Sequence, residues 1–107
     1  MKANRDADRW GALGDSTRLA IVSRLAEGPL PVGQLATGLP VSRSAVSQHL
    51  KILKDAGLVE DVAEGTRRIY RLNPAGLAAL RDQLDTFWRR ALTGYAEVVE
   101  APDTEDH

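Results

Sequence analysis

The 107-residue chain contains no cysteine, which removes several classes of function at once. Disulfides, thiolate nucleophiles and thiolate metal sites all need that side chain. Long apolar runs are also lacking, and the first ten residues are polar and charged. We therefore expect neither a membrane-spanning helix nor a signal peptide, and we predict a cytoplasmic protein.

Catalytic motifs are equally scarce. The chain has two histidines, one of them the terminal His107, and no Gly-x-Ser-x-Gly sequence. Gly11 and Gly14 precede a predicted helix, but no strand comes before them, so they do not form a phosphate-binding loop. A nucleophile needs a base beside it, and that base needs an orienting group. The sequence thus predicts a protein that is not an enzyme and needs no cofactor.

Charge is distributed unevenly along a chain whose length suits one domain. The net charge is only −1, but residues 43–71 hold six basic and four acidic side chains. Residues 72–107 hold three basic and seven acidic ones. A surface for a polyanion is therefore expected in the middle of the chain and not at its C-terminal end.

The middle of the chain predicts a helix with two different faces. Pro40 prevents a helix from running in, Ser42 is a good N-cap, and Gly57 can end the helix. One face is a core stripe, made of Val46, His49, Leu50, Leu53 and Gly57. The other carries Ser44, Ser47, Gln48, Lys51 and Asp55, with Arg43 beside them. Hydroxyls, an amide and a guanidinium suit base edges, so we interpret this segment as a DNA recognition helix. An ordinary amphipathic helix in a small bundle is the alternative.

Shorter helices are predicted before it. Residues 4–13 form the first, with Trp10 and Leu13 as apolar anchors, and Asp15 caps the second, over 16–27. The buried face of the second helix is predicted to comprise Leu19, Ile21, Val22, Leu25 and Ala26. A short third helix begins at Pro31 or Val32 and ends at Gly38. A short helix, a tight turn and a helix with a polar outer face form a helix-turn-helix over residues 32–57.

After Gly57 the apolar period changes from 3.6 to 2, which indicates strands. Residues 58–62 and 67–72 are predicted to pair around a turn at Gly65, forming a wing over residues 58–72. Arg67 and Arg68 lie at its tip, where they can reach a DNA backbone or minor groove. A solvated hairpin end is the alternative for these two arginines.

Asn73 and Pro74 predict the start of a long final helix over 74–99. Its apolar stripe runs about seven turns, which is more than a small winged core can cover. We therefore predict a symmetric dimer formed by helices 4–13 and 74–99, with a longer intramolecular bundle as the alternative. Its interface is predicted to comprise Trp10, Leu13, Leu80, Leu84, Phe87, Trp88, Ala91, Leu92 and Tyr95. Residues 100–107 are predicted to be an acidic flexible tail.

Several separated motifs resemble the ArsR/SmtB family of bacterial transcriptional repressors. They are the stretches 12–22 (ALGDSTRLAIV), 32–36 (VGQLA), 42–59 (SRSAVSQHLKILKDAGLV) and 65–70 (GTRRIY). The resemblance is close over residues 10–72 and looser in the flanking helices. It implies a mainly α fold with a small β-hairpin, a winged helix-turn-helix that binds a palindromic operator as a homodimer and often represses its own promoter.

Many members of this family release DNA when a metal binds, but this chain lacks the required cysteines. Asp82 and Asp85 lie on the last helix without a histidine, so no metal site is predicted. No inducer can be named; a groove near Trp88 and Tyr95 could take a small molecule, with an aromatic dimer seam as the alternative. His49 is interpreted as a packed, hydrogen-bonded side chain, with a pH switch or a ligand as the alternative.

Roles on DNA follow for eleven residues. The base-edge candidates are Arg43, Ser44, Ser47 and Gln48; the phosphate candidates are Thr17, Ser42, Lys51 and Lys54; the wing candidates are Arg67, Arg68 and Arg71. The competing function is a winged helix that binds protein and not DNA. That alternative predicts exposed apolar anchors at helical spacing on the outer face, where this sequence has serines, Gln48 and Lys51.

Overall fold

The computed structural model describes the backbone of residues 5–100 and the side chains of residues 8–98. Residue 4 of the predicted first helix and residues 101–107 of the predicted acidic tail lie outside the described residues. Along this part of the chain the elements are α1 (Arg5–Ala12), α2 (Ser16–Leu25), β1 (Leu30–Pro31), α3 (Val32–Thr37), α4 (Arg43–Asp55), β2 (Val59–Glu64), β3 (Arg67–Leu72) and α5 (Pro74–Glu100). The helices dominate, and α3 and α4 are followed directly by the β2–β3 hairpin. The predicted winged helix-turn-helix is confirmed.

Strand β1 is the one element that the sequence did not predict. It pairs with β3 in antiparallel register, with Leu30 opposite Tyr70 and Pro31 opposite Ile69. The sheet therefore has the order β1-β3-β2, and β3 is its central strand. A two-residue strand cannot show a period of two, and its partner lies about forty residues away, so no local pattern indicates it.

Helix α4 begins and ends at the caps that the sequence predicted. The Ser42 hydroxyl accepts a hydrogen bond from the Ala45 backbone N–H at 3.1 Å. At the other end Gly57 has a φ of +81°, which strongly favours glycine, and the Leu58 N–H donates to the Leu53 carbonyl at 2.9 Å. This left-handed cap turns the chain from the helix into β2.

The first turn of α5 lies directly on that cap. A Cβ atom at Gly76 would overlap the Gly57 carbonyl oxygen, so only glycine allows the two backbones to approach so closely. Asn73 caps α5 with its side-chain oxygen, which accepts from the Ala75 N–H at 3.0 Å. The first turn of α5 therefore packs closely against the C-terminal end of α4.

The core lies between α2, α3, α4 and the base of the hairpin. Its fully buried large side chains are Ile21, Leu35, Val46, Leu50, Leu53, Leu58 and Val59. The prediction that Leu19 on α2 and Ala26 at its C-cap are buried is wrong: Leu19 is 49% exposed and Ala26 is exposed. Ile21 and Leu25 define the inward face of this helix, and Leu19 lies about 200° around the axis from Ile21.

Helix α5 packs against the core only through its first turns. Leu77 and Leu80 lie against the core, whereas Phe87, Tyr95 and Val98 are 59%, 68% and 75% exposed. Among residues 5–100, no helix is both long and apolar enough to cross a membrane.

Candidate nucleic-acid interface

The outer face of α4 carries polar side chains that the protein itself does not use. Ser44, Ser47 and Gln48 are exposed, and none of them is hydrogen-bonded through its side chain to any part of residues 5–100. On the opposite face Val46 and Leu50 have no exposed surface. The core therefore fixes the rotation of the helix and directs the three polar side chains outward.

The N-terminal end of α4 adds a hydroxyl and a cation. Ser42 is exposed, and because its oxygen accepts the capping hydrogen bond, its hydroxyl proton remains available to an acceptor. The partial positive charge of a helix N-terminus favours an anion at this end. Thr17 lies half-buried in the first turn of α2.

Arg43 points away from the other base-edge candidates. Its guanidinium atoms lie 3.8–3.9 Å from the position that a Cβ of Gly33 would take, so the side chain leans back over α3. It lines a groove of about 550 Å³ between α3 and the hairpin, together with Arg67 and Arg68. Within residues 5–100 it has no carboxylate partner, unlike the other five cations of the predicted set.

Three of those cations sit in ion pairs at the surface. Lys51 Nζ lies 2.9 Å from an Asp55 oxygen, Arg67 lies 3.4 Å from Glu64, and Arg71 lies 2.8 Å from Glu60. All three basic side chains are more than half exposed. Exposed pairs of this kind contribute about 0–1 kcal/mol, so a phosphate can replace the carboxylate at little cost.

Lys54 and Arg68 share a different partner. Both contact Asp61, at 2.8 and 3.2 Å, and the Asp61 side chain is only 5% exposed. The hydrogen bond from Lys54 holds the pKa of the Asp61 carboxyl below its ordinary value, and the same bond raises the pKa of the Lys54 amine. One predicted phosphate contact, Lys54, and one predicted wing contact, Arg68, are thus bound to one largely buried carboxylate.

The sequence analysis missed Asp61, although the pattern contained a signal. Successive side chains of a strand alternate between its faces, so Asp61 shares the inward face of Val59, which is 2% exposed. A carboxylate on an inward face must be paired, because an unpaired buried charge is costly. The identity of its partners could not be read from the chain.

A second polar cluster joins α2 to α4. The Arg18 guanidinium lies 3.2 Å from His49 Nδ1 and donates to the Ala12 carbonyl at 2.7 Å. Guanidinium groups only donate, so in a hydrogen bond between the two side chains Nδ1 of His49 is the acceptor. With its side chain 22% exposed, His49 is packed and hydrogen-bonded, as predicted.

Asp15 completes this cluster at the N-terminus of α2. Its carboxylate accepts from the Arg18 backbone N–H at 3.0 Å and lies 3.9 Å from His49 Nδ1. That backbone hydrogen bond is the main reason why the pKa of Asp15 is lowered, and the positive charge of Arg18 adds to it. The cluster anchors α2 against α4.

The residues predicted to form a dimer interface lie together along α1 and α5. Leu13 and Leu80 are half-buried against the core. The others are exposed to a large extent: Trp10 43%, Leu84 47%, Phe87 59%, Trp88 58%, Leu92 50% and Tyr95 68%, with Ala91 exposed among them. The described chain therefore presents an uncovered apolar stripe.

A part-buried hydrogen bond joins α1 to α5. Arg9, which is 7% exposed, donates from Nε to Oε1 of Gln83 at 2.8 Å. The sequence analysis did not single out either residue, because a charged side chain beside Trp10 looks like ordinary surface. Trp10 and Phe87 flank this bond in a groove of about 520 Å³. No group of three metal-ligating side chains occurs among residues 8–98, whose side chains the structure describes.

Comparison with protein families gives a match over the helix-turn-helix. The model described as "Bacterial regulatory protein, arsR family" matches residues 15–61. Over 102 residues the chain is 64% identical to the HTH-type transcriptional regulator Rv2034 of Mycobacterium tuberculosis, covering 94% of this chain and 95% of that protein.

Solved structures agree with this match. The structure of a possible transcriptional regulator for arsenical resistance matches with a TM-score of 0.71 and 42% identity. The match covers 81% of this chain and 95% of the regulator's chain. A homodimeric winged helix-turn-helix DNA-binding domain from Mycobacterium bovis, described as a possible ArsR-family regulator, has a TM-score of 0.61 and 28% identity. The match covers 96% of this chain and 87% of the Mycobacterium bovis chain.

Proposed function

The chain belongs to the bacterial ArsR family of transcriptional regulators, and from that premise we propose that two copies of it bind a palindromic DNA operator and repress the promoter there. The observation that carries this proposal is the outer face of α4. Ser44, Ser47 and Gln48 are exposed there and make no side-chain hydrogen bond to the described chain, on a helix whose other face carries the fully buried Val46, Leu50 and Leu53. Serine and glutamine side chains suit base edges in a major groove.

The surrounding cations differ in how readily each can leave its partner in the protein for a DNA phosphate. Lys51, Arg67 and Arg71 can exchange exposed carboxylate partners for phosphates. Arg43, Ser42 and Thr17 remain proposed contacts at the edges of α4 and α2. Lys54 and Arg68 are weaker candidates than the sequence suggested, since a cation that moves to DNA would take one of two partners from the largely buried Asp61 carboxylate.

Dimerisation follows from the apolar stripe on α5 and from the symmetry of the proposed operator. A second copy would cover Phe87, Trp88 and Tyr95, and the twofold axis would place two recognition helices about 34 Å apart along one face of the duplex. The homodimeric domain from Mycobacterium bovis supports this arrangement. Because the operator lies on the chromosome, we propose that the protein acts in the bacterial cytoplasm.

A protein-binding winged helix is the competing function. It would dock through a row of apolar anchors on the outer face of α4, but that face has a single large one, Ile52, which is 44% exposed. One isolated apolar side chain is ordinary surface. The regulators to which the chain is similar are not enzymes, and the described residues offer no catalytic constellation that would favour one.

Footprinting on the promoter region upstream of the protein's own gene tests the proposal. We expect two protected half-sites, one helical turn apart, with two protein chains bound per duplex. The variant Ser47→Glu, which adds a negative charge to the outer face of α4, is expected to lose the footprint while keeping its fold by circular dichroism. If wild-type protein protects no promoter fragment at low salt, the DNA-binding proposal fails and the protein-binding alternative takes its place.

A further inference from the structure

We propose that Asp61 positions the wing on the recognition helix, so that the wing tip and the outer face of α4 contact DNA as one rigid unit. The inference rests on the proposed DNA binding and assigns a role to a residue that touches no DNA itself. In this role Asp61, whose side chain is 5% exposed, holds the charged groups of Lys54 and Arg68, which are themselves 53% and 58% exposed.

The hairpin has few other attachments on the β2 side. Val59 is 2% exposed at the base of β2, whereas Val62 is 42% exposed and residues 63–68 are all exposed. Apolar packing therefore ends where the wing begins to project. Beyond that point the contact from Asp61 to Lys54 at 2.8 Å joins β2 to the last turn of α4.

The opposite edge of the hairpin is fixed by the backbone. Strand β1 pairs with β3 at Ile69 and Tyr70, one to two residues from Arg68. Arg68 in turn reaches across to Asp61 at 3.2 Å, from the neighbouring strand. The carboxylate thus connects three elements, α4, β2 and β3, at the level where the sheet loses its core contacts.

The charge on Asp61 makes this connection strong. Its lowered pKa keeps the carboxyl ionised at neutral pH, and its side chain is 5% exposed. Hydrogen bonds to ionised groups are shorter and about twice as strong as neutral ones. Moving either Lys54 or Arg68 to a phosphate would leave this carboxylate with one cationic partner in place of two, so both cations are expected to stay in place on DNA.

The consequence concerns Arg67, at the wing tip. Its benefit to DNA binding depends on the angle between hairpin and helix, because both must meet the same duplex. If Asp61 sets that angle, the contribution of Arg67 should disappear when Asp61 no longer holds Lys54. If Asp61 has no positioning role, the two effects should add.

A double-mutant cycle tests this on wild-type protein and a duplex operator, with affinity measured over a range of salt concentrations. In the wild type, Arg67→Ala is expected to flatten the slope of log K against log salt by about 0.9, the value for one phosphate contact. In the Asp61→Asn background we expect the same substitution to change the slope little, with a coupling in affinity of at least about twofold.

Glu60→Gln is the matched control. It also removes one negative charge from β2 beside an arginine of β3, but Glu60 is 36% exposed and pairs with Arg71 alone. In this background Arg67→Ala should keep its full effect. Net charge is therefore the same in both backgrounds, and only the tie to α4 differs.

Lys54→Gln provides a second background should Asp61→Asn fail to fold, because it breaks the tie from the helix side. Here too Arg67→Ala should add nothing. Additive effects of Arg67→Ala in the Asp61→Asn and Lys54→Gln backgrounds would overturn the inference while DNA binding itself stands. A wild-type protein that binds no operator would instead overturn the proposed function, and the inference with it.

Discussion

The side chains on and around α4 differ in whether they already have a partner within the protein. Gln48 and its neighbouring serines have no partner among residues 5–100, so a base edge costs them nothing but water. Lys51 must leave Asp55, and Lys54 must leave a buried carboxylate. Proximity to the recognition helix is therefore a poor guide to which cation binds DNA.

Gln48→Ala is expected to weaken binding to the preferred operator by about 1–3 kcal/mol, because the amide can bond two positions on one adenine. Binding to operators altered at that base pair should change much less. Competition against a panel of operator variants measures this. Lys51→Ala serves as the control, since loss of a phosphate contact weakens all sequences alike. An unchanged order of preference in Gln48→Ala would remove Gln48 from the base-reading set.

Asp15 predicts how stability depends on pH. Its pKa is lowered in the folded state by the Arg18 backbone N–H, so folding favours the ionised form. This contribution is fully present above the unfolded pKa, near 3.9, and is lost as pH falls through the lower folded value. Asp15→Asn keeps a capping oxygen but cannot titrate, so we expect stability to fall less steeply below about pH 4.

Thermal unfolding by circular dichroism across that range gives the comparison. Asp15→Ala, which lacks both the cap and the charge, should be less stable than wild type at neutral pH as well. An acid limb of equal steepness in Asp15→Asn and wild type would show that the carboxylate does not contribute through its charge.

Among the elements, α5 is divided between two roles along its length. Its first turns lie on the core and on the cap of α4, where Gly76 permits close approach. Between Leu84 and Val98 the large apolar side chains of the helix are 47% to 75% exposed. A contiguous apolar stripe of this kind marks an interaction surface.

Phe87→Glu is expected to convert a dimer into a monomer. A symmetric interface holds two copies of the ring, and burying each is worth about 1.5–3 kcal/mol, so the dimer Kd should rise at least about a hundredfold. Sedimentation equilibrium measures the change, and operator affinity should fall with it. Thr93→Glu adds the same charge on the opposite side of α5 and should remain dimeric. A wild type that sediments as a monomer at micromolar concentration would contradict the expectation.

For the whole molecule, the chemistry available for sensing a signal is narrow. The chain has no cysteine, and the described side chains of residues 8–98 contain no cluster of three metal-ligating groups. Asp82 and Asp85 offer only carboxylate oxygens on α5, whereas zinc prefers imidazole nitrogen or thiolate sulfur as ligands. Regulation, if present, must act through the geometry that sets the distance between half-sites.

Stoichiometric zinc is therefore expected to leave operator affinity unchanged, within about twofold. Fluorescence anisotropy of a labelled operator, with and without added zinc and then a chelator, measures this. Zinc-induced release that the chelator reverses would reveal a metal site, and Asp82→Asn with Asp85→Asn would locate it on α5.

Much of the architecture could be predicted because its causes are local. Asp15, Ser42 and Asn73 cap the helices that follow them, each by accepting a backbone N–H two or three residues away. Gly57 and Gly65 have positive φ at the ends of the segments they terminate. The apolar period then distinguishes helix from strand, so the predicted element order differs from the structure only in β1.

What the sequence by itself determined is thus each element, its caps and the two faces of α4, since those depend on residues within a turn or two. Only the tertiary structure decided which charges are free. Asp61 meets Lys54 and Arg68, Arg9 meets Gln83, and Arg18 meets His49 across 31 positions. Such pairings depend on how elements pack in space, and no period or spacing along the chain encodes them.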